Sequence, residues 1–188
     1  YKNVGSKVIM AMTLITTNSE TNAASSSFTS SIDSTYKLYI FKFININPAT
    51  DTADFTFNGS IDGGSNYNVT KTTTFFRASH PEDGSTYGLD YEASYDISQG
   101  TGFQQLTENQ GNGADECSAG TMWLFNPSNT VYVKHFYSRI ANTTGDATTY
   151  ANDVFVAGYF NNTNDIDAVQ FKMSSGNFDG TIKLYGVG

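Results

Sequence analysis

FKMSSGNFDGTIKLYGVG, residues 171–188, reads as two β-strands joined by a turn. On the first side Val169, Phe171 and Met173 alternate with Gln170, Lys172 and Ser174; on the second, Ile182 and Leu184 alternate with Thr181, Lys183 and Tyr185. A period of two puts successive side chains on opposite faces of an extended strand. Between them SSGNFDG supplies Gly, Asn and Asp, which adopt positive φ or hydrogen-bond their own backbone in turns. The expectation is a β-hairpin that completes a sheet at the end of the sequence, with no tail, anchor or helix.

Working outward, the same alternation recurs with turn residues between, and no stretch keeps a 3.6-residue apolar period. Strands are expected at residues 7–16, 26–30, 36–46, 53–60, 69–77, 119–125, 131–141, 153–160, 167–174 and 181–185. Composition agrees: 14% of residues are aromatic, and Lys, Arg, Asp and Glu make only 15%, against roughly 25% in ordinary soluble domains. Ser, Thr, Asn and Gly take over the solvating role. The fold class that follows is all-β: one antiparallel, jelly-roll-like β-sandwich spanning residues 1–188, a length that buries a core without metal or disulfide support.

A formal charge of −8, with ten Lys and Arg scattered along the chain, argues against nucleic acid, whose binding needs clustered cations that displace counterions. The apolar run VIMAMTLI at residues 8–15 is far short of the ~20 residues a membrane-spanning helix needs, so it reads as a first strand, and no membrane partner is expected. The sequence opens on Tyr1 rather than Met, which leaves room for a processed leader. Cys117 is the single cysteine, which excludes an intrachain disulfide, and its neighbours Asp115 and Glu116 disfavour a thiolate nucleophile.

The segment YKLYIFKFINI, residues 36–46, is apolar on both parities, with Leu38, Ile40, Ile44 and Ile46 on one face and Tyr39, Phe41 and Phe43 on the other. A strand apolar on both faces is covered on both sides. One side belongs to the core; the other meets a covering loop or a second subunit, and subunit contact is the preferred reading. Val154, Val156 and Phe160, set against Phe155, Ala157 and Tyr159, repeat the pattern, and in TMWLFNP Met122 and Leu124 share one face while Trp123 and Phe125 share the other. Tyr39, Phe41, Phe43, Trp123 and Phe125 are therefore the candidate interface residues. Two Asn-Pro corners, at residues 47–48 and 126–127, read as hairpin turns, and residues 77–119 read as long connections with weak strands.

Catalytic parts are scarce. His80 and His135 have no strained serine beside them, and no nucleophile elbow is present. Asp90, Glu92 and Asp96 offer the carboxylates a glycosidase would need, but acidic residues that alternate on a solvated strand require no catalytic role. Asp51 with Asp54, and Asp165 with Asp167, are at most fragments of a calcium site. Trp123, Tyr87, Tyr91 and Tyr95 are possible stacking platforms for sugar rings. No catalytic, cofactor-binding or metal-binding residue is assigned, and the chain is expected not to be an enzyme.

Three blocks carry a family resemblance: FTSSIDSTYKLYIFKFINI at residues 28–46, FNGSIDGGSNYN at residues 57–68 and AVQFKMSSGNFDGTIKLYG at residues 168–186. Together they resemble the small β-sandwich structural proteins of tailed bacteriophages, marine phages in particular. That resemblance implies a jelly-roll-like virion protein without catalysis: a capsid decoration protein, a head fibre or a tail-associated protein at the particle surface. It also implies a homotrimer or other symmetric oligomer, in contact with partners such as the major capsid or a tail protein. The alternative is a lectin-like adhesion module that binds host glycans, as in a tail fibre or receptor-binding domain.

Overall fold

The alternating segments do form strands. The computed structural model describes residues 11–188, and the strands in chain order are β1 (Met12–Ala23), β2 (Ser26–Phe28), β3 (Leu38–Pro48), β4 (Phe55–Ser60), β5 (Lys71–Pro81), β6 (Gly88–Tyr91), β7 (Gln104–Gln105), β8 (Ser118–Phe125), β9 (Lys134–Thr143), β10 (Tyr150–Phe160), β11 (Ala168–Met173) and β12 (Phe178–Val187). Eight of them make one sheet in the order β1-β12-β3-β8-β9-β10-β5-β6, and four make a second in the order β2-β11-β4-β7. All pairings are antiparallel, and the two sheets enclose one apolar core. The all-β sandwich expected from the sequence is what the chain adopts.

Residues 7–10 of the first expected strand lie outside the described residues. Its visible part runs on to Ala23, well past the expected end, because the polar segment NSETNA pairs as an edge strand with β12. An edge strand needs no alternating apolar face, so the sequence pattern does not mark it.

The expected closing hairpin is corrected. β11 and β12 lie in different sheets: β11 sits between β2 and β4, and β12 between β1 and β3. Residues 174–177 carry the chain across the sandwich, with Gly176 at φ 70. Alternation fixes which face a strand buries and leaves its neighbours open, so a hairpin and an inter-sheet corner share one pattern. The corner after β3 is corrected likewise, since Pro48 leads from the larger sheet into β4 of the smaller one. The two corners lie together: Ser174 N–H donates to Asp54 O (2.8 Å) and Ala49 N–H to Asn177 O (2.8 Å). The second Asn-Pro corner does join neighbouring strands, β8 and β9, with Asn126 at φ 47.

Inner-face side chains explain the packing. Phe171 on β11 touches five other phenylalanines, Phe28, Phe41, Phe43, Phe55 and Phe57, at centroid separations of 5.1–6.3 Å. Each buried aromatic of this kind contributes about 1.5–3 kcal/mol of apolar transfer, with edge-to-face contacts adding to it. On β3, Tyr39, Phe41 and Phe43 are buried against the smaller sheet of the same chain. That corrects their assignment as subunit contacts: the covering layer is the chain's own second sheet. The register slips between Phe43 and Ile46, where Asn45 has φ 51, and Ile46 turns inward to join them. A bulge of this kind reverses the face of everything beyond it, so Ile46 does not share the face of Leu38 and Ile40.

Residues 95–110, expected as surface connection, are partly core. Gln104, Leu106, Thr107 and Gln110 are buried across the edge between the sheets. Phe55 N–H donates to Thr107 Oγ1 (2.8 Å) and Gln110 Nε2 donates to Ile46 O. Here side-chain hydrogen bonds do the work of a ladder, which is why polar residues in a loop-like string become buried.

Candidate functional site

Inward alternation of Phe136, Ser138 and Ile140 on β9, and of Val154 and Val156 on β10, forces the intervening residues onto the outer face of the larger sheet. Cross-strand register assembles these residues into rows. One row runs Lys183, Lys42, Thr121, Arg139, Phe155, Phe76, Tyr91. The next runs Tyr185, Ile40, Trp123, Tyr137, Ala157, Thr74.

Both rows carry stacked rings. Trp123 lies on Tyr137 with centroids 4.5 Å apart at 24°, and the Phe125 ring stacks on the same tyrosine at 5.6 Å and 28°. Phe76 and Phe155 stack at 4.8 Å and 3°, and the Arg139 guanidinium stands 4.9 Å from the Phe155 centroid while pairing with Asp153 at 2.7 Å. Tyr91 is 63% exposed and Tyr137 44%, so this aromatic surface is open to solvent.

The Arg139, Phe155 and Phe76 row forms a ridge between two shallow depressions. One, of about 540 Å³, is floored by Ala78, Ala119, Ala141 and Ala151 and rimmed by His80, Arg139 and Asp153. The other, of about 450 Å³, lies over Thr72, Thr74 and Ala157 beside His135, Tyr137 and Tyr159. Lys42 and Lys183 stand directly opposite each other at one end of the ridge, and among the described residues neither pairs with a carboxylate. Like charges directly opposed across strands are unfavourable, and an acidic partner relieves them.

Of the candidate interface residues, Trp123 and Phe125 belong to this surface, where they are half-buried; Tyr39, Phe41 and Phe43 do not. The search for strands apolar on both sides reaches Phe155, Ala157 and Tyr159 on β10 but passes over His135, Tyr137 and Arg139, the outward parity of β9.

The remaining candidates are dispersed. Glu92 pairs with Arg77 at 3.0 Å; Asp96 Oδ1 accepts from Phe75 N–H at 2.7 Å and the carboxylate also accepts from Tyr91 OH. Both carboxylates are tied to their own chain. Tyr95 packs edge-on to Phe75 at 5.0 Å and donates to Glu108 Oε1 at 2.8 Å, so it is a wall of the core rather than a platform. Tyr87 is exposed beside His80, with centroids 6.5 Å apart. Asp54 accepts from Asn109 N–H (2.9 Å) and Gln105 Nε2 (2.6 Å), and burial pushes its carboxyl upward; Asp167 accepts from Gly63 N–H at 3.0 Å. Both hold loops together. Cys117 is a free, half-buried thiol.

What fold and surface define is an antiparallel β-sandwich with an aromatic, cation-bearing outer face. No family model, curated protein or solved structure matches the chain.

Proposed function

We propose that this is a non-enzymatic, jelly-roll-like structural protein of a tailed-bacteriophage particle, which assembles through the outer face of its larger sheet. The observation that carries the reading is the opposed Lys42–Lys183 pair at the end of an exposed aromatic ridge, on a chain whose net charge is −8. A cationic face on an acidic protein is complementary to the remaining surface of another copy. Such a contact is heterologous, and repeated around an axis it closes a ring such as a trimer. Ridge and depressions supply the shape, exposed rings supply apolar area, and the lysines supply steering. The resemblance of the three sequence blocks to phage sandwich proteins supports the same assignment, with a capsid or tail protein as the further partner.

Light scattering after size exclusion tests it. The unmodified chain is expected to run as a defined oligomer that dissociates with salt, and Lys42→Glu with Lys183→Glu to run as a folded monomer. An unmodified chain that stays monomeric at high concentration, or an oligomer indifferent to the double reversal, would overturn the proposal.

A further inference from the structure

The dipeptide Asn-Gly occurs twice in the chain, at residues 58–59 and 112–113, and the fold treats the two differently. In this dipeptide the peptide nitrogen after asparagine can reach the side-chain carbonyl carbon, because glycine has no Cβ to block the approach. Asn58 and Gly59 lie buried on β4, where Gly59 pairs with Val169 and Asn58 Nδ2 donates to Tyr67 O (2.7 Å) and Thr101 O (2.9 Å). Asn112 is exposed in the connection between β7 and β8, and its Nδ2 donates to Ala49 O across a long 3.4 Å.

The backbone on either side of Asn112 is pinned. Gly111 N–H donates to Thr143 O (3.2 Å), and Asn47 Nδ2 donates to Gly113 O (3.1 Å). Glu116 N–H also donates to Gly113 O (3.0 Å), which closes a turn and brings the Glu116 side chain back over the glycines. Its Oε2 accepts from Gly113 N–H at 2.8 Å. A Cβ on Gly111 or Gly113 would displace this carboxylate.

We infer that residues 112–113 form a self-modification site, at which Asn112 is converted to isoaspartate and aspartate with Glu116 as the base. Glu116 takes the proton of Gly113 N–H, and the freed nitrogen bonds to Asn112 Cγ. The Cγ–Nδ2 bond breaks, and Nδ2 leaves as ammonia with the proton that Glu116 held. A five-membered succinimide remains, and Glu116 is ionised again. Water then adds to one of the two ring carbonyls and opens the ring. Cleavage between Cγ and the Gly113 nitrogen gives aspartate; cleavage between the Asn112 backbone carbonyl and that nitrogen gives isoaspartate, with one more methylene in the main chain. Nothing is oxidised or reduced. A carboxylate already hydrogen-bonded to the reacting nitrogen is placed as a general base must be. Exposure lets ammonia leave and water enter, which burial denies to Asn58. The product puts a carboxylate where the amide donated to Ala49 O, so two acceptors come face to face beside the corner that joins the sheets.

Trypsin separates the two sites, since residues 43–71 carry Asn58 and residues 78–134 carry Asn112. After prolonged storage of the folded protein in mildly alkaline buffer, mass spectrometry is expected to show the amide-to-acid mass gain and isoaspartate at residue 112, and neither at residue 58. Glu116→Gln keeps an oxygen for Gly113 N–H without its basicity, and should slow the conversion by about tenfold or more. Storage in urea should bring the two sites to similar rates. The readout is mass, so it does not depend on whether the chain assembles. No conversion at residue 112, equal conversion at both sites of the folded protein, a Glu116→Gln protein that converts as fast as its parent, or a difference that survives urea would each overturn the inference.

Discussion

Phe171 on the smaller sheet meets Phe43 on the larger one edge-on, with ring centroids 5.1 Å apart at 70°. The contact spans the sandwich, and Phe171 is also stacked on Phe55 within its own layer at 5.7 Å and 15°. One side chain thereby links both sheets. Phe171→Ala is expected to lower unfolding free energy by about 3–5 kcal/mol, as cavity-forming Phe substitutions do. Phe171→Leu should cost clearly less; urea titrations of the three proteins give the comparison, and equal midpoints would show that the cluster is not central.

Lys71 is fully buried with its Nζ donating to Gly102 O at 2.6 Å, and burial lowers its ammonium to about 8. In the unfolded chain the group keeps its ordinary value of 10.5, so between these pH values the unfolded state binds more protons and stability rises with pH. The interval corresponds to about 3 kcal/mol at ~1.4 kcal/mol per unit, the burial cost of the charge that is fully present below pH 8. Tyr39 and Tyr95, whose phenols burial pushes upward, act in the opposite direction at higher pH, so the lower half of the window is the one to measure. Denaturation at pH 7.5 and 9 (about one and a half units apart) should show the rise in the unmodified protein and a smaller one in Lys71→Met, where Lys134, also lowered by burial, still contributes.

Gly158 lies where β10 passes between β9 and β5. A Cβ there would come within 2.6 Å of Thr72 O and 2.9 Å of the Phe136 ring. Backbone on one side and core on the other leave no room to yield, so Gly158→Ala should destabilise by about 1–3 kcal/mol despite alanine's better strand entropy. A thermal scan that places the variant at or above the parent would count against this packing.

Trp123 is the single tryptophan of the chain, and it stacks on Tyr137 in the outer face proposed for assembly. Its emission therefore reports on that face alone. Dilution of the oligomer should shift the emission to the red as the indole is rehydrated, and the Lys42→Glu, Lys183→Glu protein should show the red-shifted spectrum at every concentration. A spectrum that ignores dilution while light scattering detects dissociation would move the contact to another surface.

How much of this was legible in the sequence differs by level. Alternation in Phe171, Met173, Ile182 and Leu184 identified strands and inward faces, because burial on one side leaves that mark wherever the neighbouring strand lies. It could not distinguish a hairpin from a crossing between sheets, and β11 and β12 proved to be the second. β6 and β7 were visible only as weak strands without bounds within residues 77–119, since an edge strand and a two-residue bridge have no buried apolar face to display. Tyr39, Phe41 and Phe43 looked like surplus apolar residues only while the second sheet was unassigned. The outer face was half visible through Trp123 and Phe125, but Lys42 and Lys183, 141 positions apart in the numbering, become neighbours only through the register of β3 with β12.

Because β12 lies between β1 and β3, and β11 between β2 and β4, neither sheet is continuous until residues 168–187 are in place. During synthesis the two earliest described strands, β1 and β2, emerge long before the strands they pair with. They must wait, unpaired and open to foreign strands, until residues 168–187 have been made. Such a topology closes late, with the slow kinetics of distant β-pairing. A ribosome that stalls before residue 168 would hold an aggregation-prone chain, so dependence on folding helpers should be greatest until β11 and β12 have been made.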